Sequence, residues 1–323
     1  MRTMFALRSF RLPAGGEGLT CRVTSCEPQT EPPPMPIALL KERAVARIAG
    51  SDAAHFLDNL LTARMPEAPG QARYAALLTP QGKIVADMIV LATEGGFRLD
   101  VPRAVLPDLL KRLQLYRLRA KVEIGPLEEL AVAVAWGGAT PLVDTPAYDD
   151  PRLPALGRRF LLPAAEAAQI EMVPEAAWHA HRIDLGIPEG GRDFLYADAF
   201  PHEADMDQLG GIDFDKGCYV GQEIVSRMQH RGTARTRIIP VALCGPPPAE
   251  GTPILAGGKT IGRLGSGVEG RALALLRLDR LEEARGAGHV VEADGAALVP
   301  ERPGWARFAV PGTEPVPGTE ALA

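Results

Sequence analysis

From about residue 44 the chain switches between two hydrophobic periods. "AVARIAG" (44–50) alternates apolar and polar residues, the pattern of a half-buried strand. Ser51 and Asp52 then stand where a helix cap is wanted, and Phe56, Leu57, Leu60 and Leu61 fall on one helical stripe. "RYAALLTPQGKIVADMIVLATEGGFRLDVP" (73–102) reads as three strands divided by turns at "TPQGK" and "EGG". A second helix follows, with Val105, Leu109 and Leu113 four apart, before "AKVEI" and "LAVAVAW" resume the strand pattern. The proline-rich stretch 141–157 predicts a connection, and Pro174 with Gly186 and Pro188 brackets a short helix. Strands outnumber helices and hairpins mix with crossings, so the fold class is α+β rather than doubly wound.

Beyond residue 236 the pattern changes again. Short apolar runs ("RIIPVAL", "PILAG", "KTIGRLGSGV", "ALALLRL", "HVVEA") are separated by Gly and Pro turns, which predicts a small all-β barrel or sandwich. The first 34 residues differ from both parts: "MRTMFALRSFRLPAGG" carries three arginines and no acid, and "EPQTEPPP" follows. They read as a disordered tail, an upstream start or an organelle presequence. Three regions are therefore expected: an extension over 1–34, an α+β region of two substructures over 35–235, and a barrel over 236–323.

Composition narrows the function classes. The 323 residues exceed what one core usually serves, and 46% apolar with 23% charged residues excludes wholesale disorder. A net charge of -5 argues against general nucleic-acid binding, and no run reaches the roughly 18 apolar residues of a membrane span. Four cysteines do not make a disulfide framework, which suits a reducing compartment: the cytoplasm, or the mitochondrial matrix if 1–34 is a presequence. Cys21 and Cys26 are spaced C-x4-C without the further C-x2-C of one iron–sulfur pattern, and no metal site is read. A monomer is expected.

The stretch "KGCYVGQE" (216–223) concentrates the chemistry. Gly217 and Gly221 permit tight turns around Cys218, and "QEIVSRMQ" has helical character. A thiol near a helix start and two residues from Lys216 is a candidate nucleophile, redox group or transient metal ligand. The competing reading is a small buried hydrophobe. His179 and His181 are two apart on a helix and so diverge, and Trp178 reads as core.

"KGCYVGQEIVSR" resembles the signature of the YgfZ family of folate-binding proteins, relatives of the glycine-cleavage T-protein. "RIDLGIPEGG", "FPHEADMDQLGGIDFDKGCYVGQE", "MQHRGTARTR" and "GTPILAGGKTIGRLGSG" extend the likeness over roughly residues 36–310. The resemblance implies three substructures around a central cavity that binds tetrahydrofolate, the last substructure a β-barrel. It also implies a role in assembly or repair of iron–sulfur proteins, especially [4Fe–4S] ones, with an indirect effect on tRNA modification. Cys218 is carried over as the essential residue, with Lys216, Gly217, Tyr219, Gly221, Gln222 and Glu223 completing the motif.

The T-protein relatives use a glutamate against the pterin in a segment similar to "RIDLGIP", so Asp184 is the matching folate candidate. Its side chain is shorter by about 1.5 Å, and it could equally be solvated or paired with Arg182. Asp87, in "GKIVADMIV", matches one member of the relatives' aspartate pair, while Ala86 replaces the other. That makes aminomethyl transfer, which needs a placed carboxylate, the alternative rather than the first reading. Asp87 could also face solvent on its strand. Glu203 is a weaker cavity candidate. Arg227 belongs to a basic cluster with His230, Arg231, Arg235 and Arg237, suited to folate's polyglutamate tail, to internal pairing or, last, to RNA phosphate.

Overall fold

The alternating stretches of the first half fold into two antiparallel sheets. A computed structural model describes residues 36–138, 146–232 and 234–313. The N-terminal extension, with Cys21 and Cys26, lies outside the described residues. The described chain begins with β1 (Ile37–Leu39), β2 (Arg43–Ala49), α1 (Ala53–Asp58), β3 (Ala72–Leu78), β4 (Ile84–Thr93) and β5 (Gly96–Pro102). It continues with α2 (Leu106–Arg117), β6 (Glu123–Pro126), β7 (Leu130–Ala135), β8 (Ala147–Asp149), β9 (Arg158–Pro163), α3 (Ala164–Ala167) and α4 (Glu175–Asp184). Five strands pair in the order β3-β4-β5-β2-β6, and four in the order β1-β7-β9-β8.

Three local expectations change. α1 stops at Asp58, so Leu60 and Leu61 lie beyond it, and Leu61 bridges to Leu77 instead. Asp52 makes no cap bond to its own helix, because its carboxylate accepts the Lys121 N–H at 2.8 Å. The stretch expected as a plain connection contains β8, which pairs with β9 because Tyr148 has a buried site to fill.

The long apolar run of β4 is explained by burial on both faces. Ala86, Met88, Val90 and Ala92 pack with α1 and α2, while Ile84, Ile89 and Leu91 face the other way, into a cluster shared with Trp178, Ile238 and Leu273. Asp87 is therefore buried, 4% exposed, on the inward face rather than in solvent.

An irregular segment leads from α4 to α5 (Gln222–Arg231) and then to β10 (Thr236–Ala242), β11 (Pro253–Ala256), β12 (Lys259–Val268) and β13 (Arg271–Arg277). α6 (Leu278–Gly286), β14 (Val291–Ala293), β15 (Ala296–Ala297) and β16 (Val299–Pro300) complete it. These seven strands pair in the order β15-β14-β11-β12-β13-β10-β16. The two edge strands are separated in sequence by Leu298 alone, so the sheet curls back on itself as a nearly closed barrel. α6 has no counterpart in the strand-only reading; its buried Leu281 and Ala284, three apart, join the barrel's own core. Residues pointing out of the barrel, Ile238 and Leu273, join the cluster that also contains residues of both other sheets. Among the described residues no helix is long and apolar enough to cross a membrane.

Candidate functional site

The signature loop is stitched to the turn that follows α1. Thr62 donates its hydroxyl to the Gly211 carbonyl at 2.6 Å, and the Asp213 N–H returns to the Thr62 carbonyl at 3.0 Å. Lys216 is 8% exposed, and its ammonium donates to the carbonyls of Asp58, Leu61 and Ala63 at 2.8, 2.8 and 2.9 Å. Three donors thus meet three carbonyls, one at the end of α1 and two in the turn that follows it. Lys216 accordingly serves as an anchor for the loop. Burial lowers its pKa, and the Asp58 carboxylate at 3.6 Å works against that shift.

Gly221 is the second fixed point. Its φ of +82° is left-handed, and a Cβ there would lie 2.6 Å from the Thr79 carbonyl oxygen, so only glycine lets α5 start against the β3–β4 turn. Tyr219 is buried beneath the loop, and burial pushes its phenol up to about 12. Between these anchors Gly217 and Cys218 are exposed. Cys218 borders a recess of about 150 Å³ with His55, Asp58, Asn59, Arg64, Lys216 and Gly217. Sequence reasoning missed His55, Asp58, Asn59 and Arg64. They lie more than 150 residues upstream, without any local motif to mark them.

Each expected folate contact already has a partner within the chain. Asp87 accepts hydrogen bonds from Tyr196 and Tyr74 at 2.5 and 3.1 Å, one on each carboxylate oxygen. Burial first, and Asp87 second, push both phenols up, which keeps them as donors. Asp184 sits at the end of α4 with its side chain 67% exposed, 2.9 Å from Arg271 rather than paired with Arg182. Glu203 accepts the Phe200 N–H at 2.9 Å, and Arg227 pairs with Glu223 at 2.6 Å on the surface of α5. A pterin needs a carboxylate with both oxygens available to a ring N–H and an amine. As placed, none of the three carboxylates has both oxygens unpaired, and Arg227 is held by Glu223. In the basic cluster, Arg235 lies 3.8 Å from Asp279, and Arg237 is buried at 2.6 Å from Asp207.

What occupies the centre is a buried ionic chain. Asp100 is held by Arg43 at 2.6 Å, Arg159 at 2.8 Å and the Tyr148 hydroxyl at 2.8 Å. Arg159 reaches on to Asp150 at 2.9 Å, which Arg152 also holds at 2.7 Å. Burial by itself would raise both carboxyls; the guanidiniums more than reverse it and hold them below the ordinary carboxylate range. A second chain ties α4 to the barrel: Arg182 bonds Asp193 at 2.8 Å, and Ser266 of β12 bonds the other Asp193 oxygen.

Comparison with known proteins gives this arrangement relatives. Residues 42–129 match the GCVT N-terminal domain family, and residues 235–308 match the CAF17 C-terminal beta-barrel domain family. The iron-sulfur cluster assembly factor IBA57, mitochondrial, of Homo sapiens is 34% identical over 82% of this chain and 84% of its own length. The IBA57 homolog of Mycosarcoma maydis is 30% identical over 88% and 87%. The glycine cleavage system aminomethyltransferase T structure from Bartonella henselae superposes with a TM-score of 0.69 at 17% identity, covering 82% of this chain and 84% of that one, a likeness of fold. These relatives carry the name IBA57 rather than YgfZ. The chain belongs to the CAF17/IBA57-type family of iron–sulfur cluster assembly factors, with a GCVT-like N-terminal domain and a C-terminal β-barrel.

Proposed function

We propose that this protein assists iron–sulfur cluster assembly through Cys218, which contributes one thiolate to a cluster whose remaining ligands belong to a partner protein. The observation that carries the reading is an exposed thiol on a loop whose two ends are immobilised, by Lys216 on one side and Gly221 on the other. A mobile thiol would lose rotamer and backbone freedom on coordination; this one has lost much of it on folding. Among the described residues no group of three His, Cys, Asp or Glu side chains could hold a metal ion, so a single thiolate suits a shared cluster and not a resident one. Bonding iron, the Cys218 thiol gives its proton to the ligand it displaces, which leaves the cluster in protonated form.

A free thiol also calls for a reducing compartment, such as the cytoplasm or the mitochondrial matrix. An effect on tRNA modification follows indirectly, through modification enzymes that require clusters. The aminomethyltransferase alternative needs a placed pair of carboxylates, and Ala86 stands where the T-protein relatives carry the second aspartate. Replacement of Cys218 by Ala in cells that lack the native copy tests the reading. Activity of [4Fe–4S] enzymes is expected to collapse while the purified variant keeps its Tm; full support of those enzymes by Cys218→Ala refutes it.

A further inference from the structure

We infer that the tip of α2, the outer edge of α1 and the Cys218 loop form one docking face, and that it receives a protein with an acidic face. The inference rests on the reading of Cys218 above and adds the surface and the chemistry of the partner.

Continuity is the first argument. The recess beside Cys218 and a second one, of about 220 Å³ lined by Asp52, Phe56, Leu60, Tyr116 and Ala120, share His55 and Asn59. Those two side chains meet at 3.0 Å and form the ridge between them. The surface therefore runs without a break from the thiol to the end of α2.

Its apolar content is the second. α2 buries Leu109 and Leu113, as an amphipathic helix should, yet Leu115 is 69% exposed, Tyr116 36% and Leu118 85%. Leu118 ends the helix at φ +46°, a left-handed conformation suited to glycine. A branched apolar side chain is thus held in solvent by a backbone that disfavours it, between two residues that line the second recess. Such outliers gather where a surface is used.

Charge identifies the occupant. Lys111, Arg112, Arg117 and Arg119 are exposed and make no side-chain ion pair or hydrogen bond among the described residues. Elsewhere among the described residues the arginines are mostly paired, and the net charge of the chain is -5. Unpaired cations around exposed leucines suit an acidic protein face with an apolar centre. RNA is the weaker occupant, since stacking platforms are aromatic and the exposed apolar residues here are chiefly leucine.

The test places a photo-cross-linking amino acid at position 118 of the full chain in cells, with position 269 on the barrel as control. The product is expected to be a protein with an excess of acids, absent from position 269. Its yield is expected to fall several-fold with Arg117→Glu plus Arg119→Glu, and to survive Cys218→Ala. No product at 118, a product indifferent to the charge reversal, a nucleic acid or a second copy of this chain overturns the inference. Loss of the cross-link while Cys218 remains essential removes the docking face alone; a persisting cross-link with a dispensable Cys218 removes the function reading. Leu118→Gly, which relieves the left-handed backbone, is expected to leave Tm unchanged or higher while [4Fe–4S] enzyme activity falls several-fold. Unchanged activity in that variant also overturns the inference.

Discussion

The centre of the molecule and its signature edge use the same residue types to opposite ends. At the centre, Arg43, Asp100, Arg159, Asp150 and Arg152 pair with one another, and the two aspartates and Arg159 leave almost nothing exposed. At the edge, Lys216 is as thoroughly satisfied, but only so that its neighbours, Gly217 and Cys218, stand open. Saturation makes the centre a brace between the five-stranded and four-stranded sheets. The same saturation one residue from a loop tip makes a holder for a reactive atom. A buried charge shows that a position matters; whether its partners are complete shows if it works or supports.

Breaking the centre should have the largest effect. Arg159→Ala leaves Asp100 and Asp150 buried with fewer partners and is expected to cost about 3–5 kcal/mol in urea unfolding. A cost near zero would mean that water replaces the guanidinium. Lys216→Met comes next. It strips three buried carbonyls of their donor, for an expected loss of about 2–3 kcal/mol, with faster proteolysis confined to the loop. Proteolysis spread evenly over the chain would deny the anchor role.

Acid should separate the regions further. Burial lowers the pKa of His202, which sits against Gln229 of α5, so its unfolded form binds a proton more readily than its folded form. Stability is therefore lost as pH falls below about 6.5. Asp100 and Asp150, held low by their arginines, keep their contribution until pH falls below about 4 and then lose it as they protonate. Amide protection, corrected for the intrinsic pH dependence of exchange, should accordingly fall in α5 between pH 7 and pH 5, before it falls in β5 and β9; His202→Gln should abolish the first phase.

The smallest expected effects bear on the site itself. Cys218→Ala should change stability by less than about 0.5 kcal/mol, as an exposed side chain does, despite its functional cost. Titration with tetrahydrofolate should give no saturable heat, because Tyr74 and Tyr196 already hold Asp87. Tight binding would show that the tyrosines yield to the pterin.

Local pattern by itself determined the hairpins of β3, β4 and β5, the α2 stripe, the run of short barrel strands and the signature around Cys218, because period and turn residues act between near neighbours. Tertiary structure decided what the charged residues do. Asp87, read equally well as solvent-facing, turns inward because β4 is covered on both faces. Asp184, marked as a ligand contact, turns outward to Arg271 because α4 presents its Trp178 and Ile183 to the core instead. Lys216, read as a source of positive potential, ends among carbonyls contributed by a turn about 155 residues away. A carboxylate or an ammonium takes its role from whatever lies within hydrogen-bond reach, and in this chain those partners are brought together only by the fold.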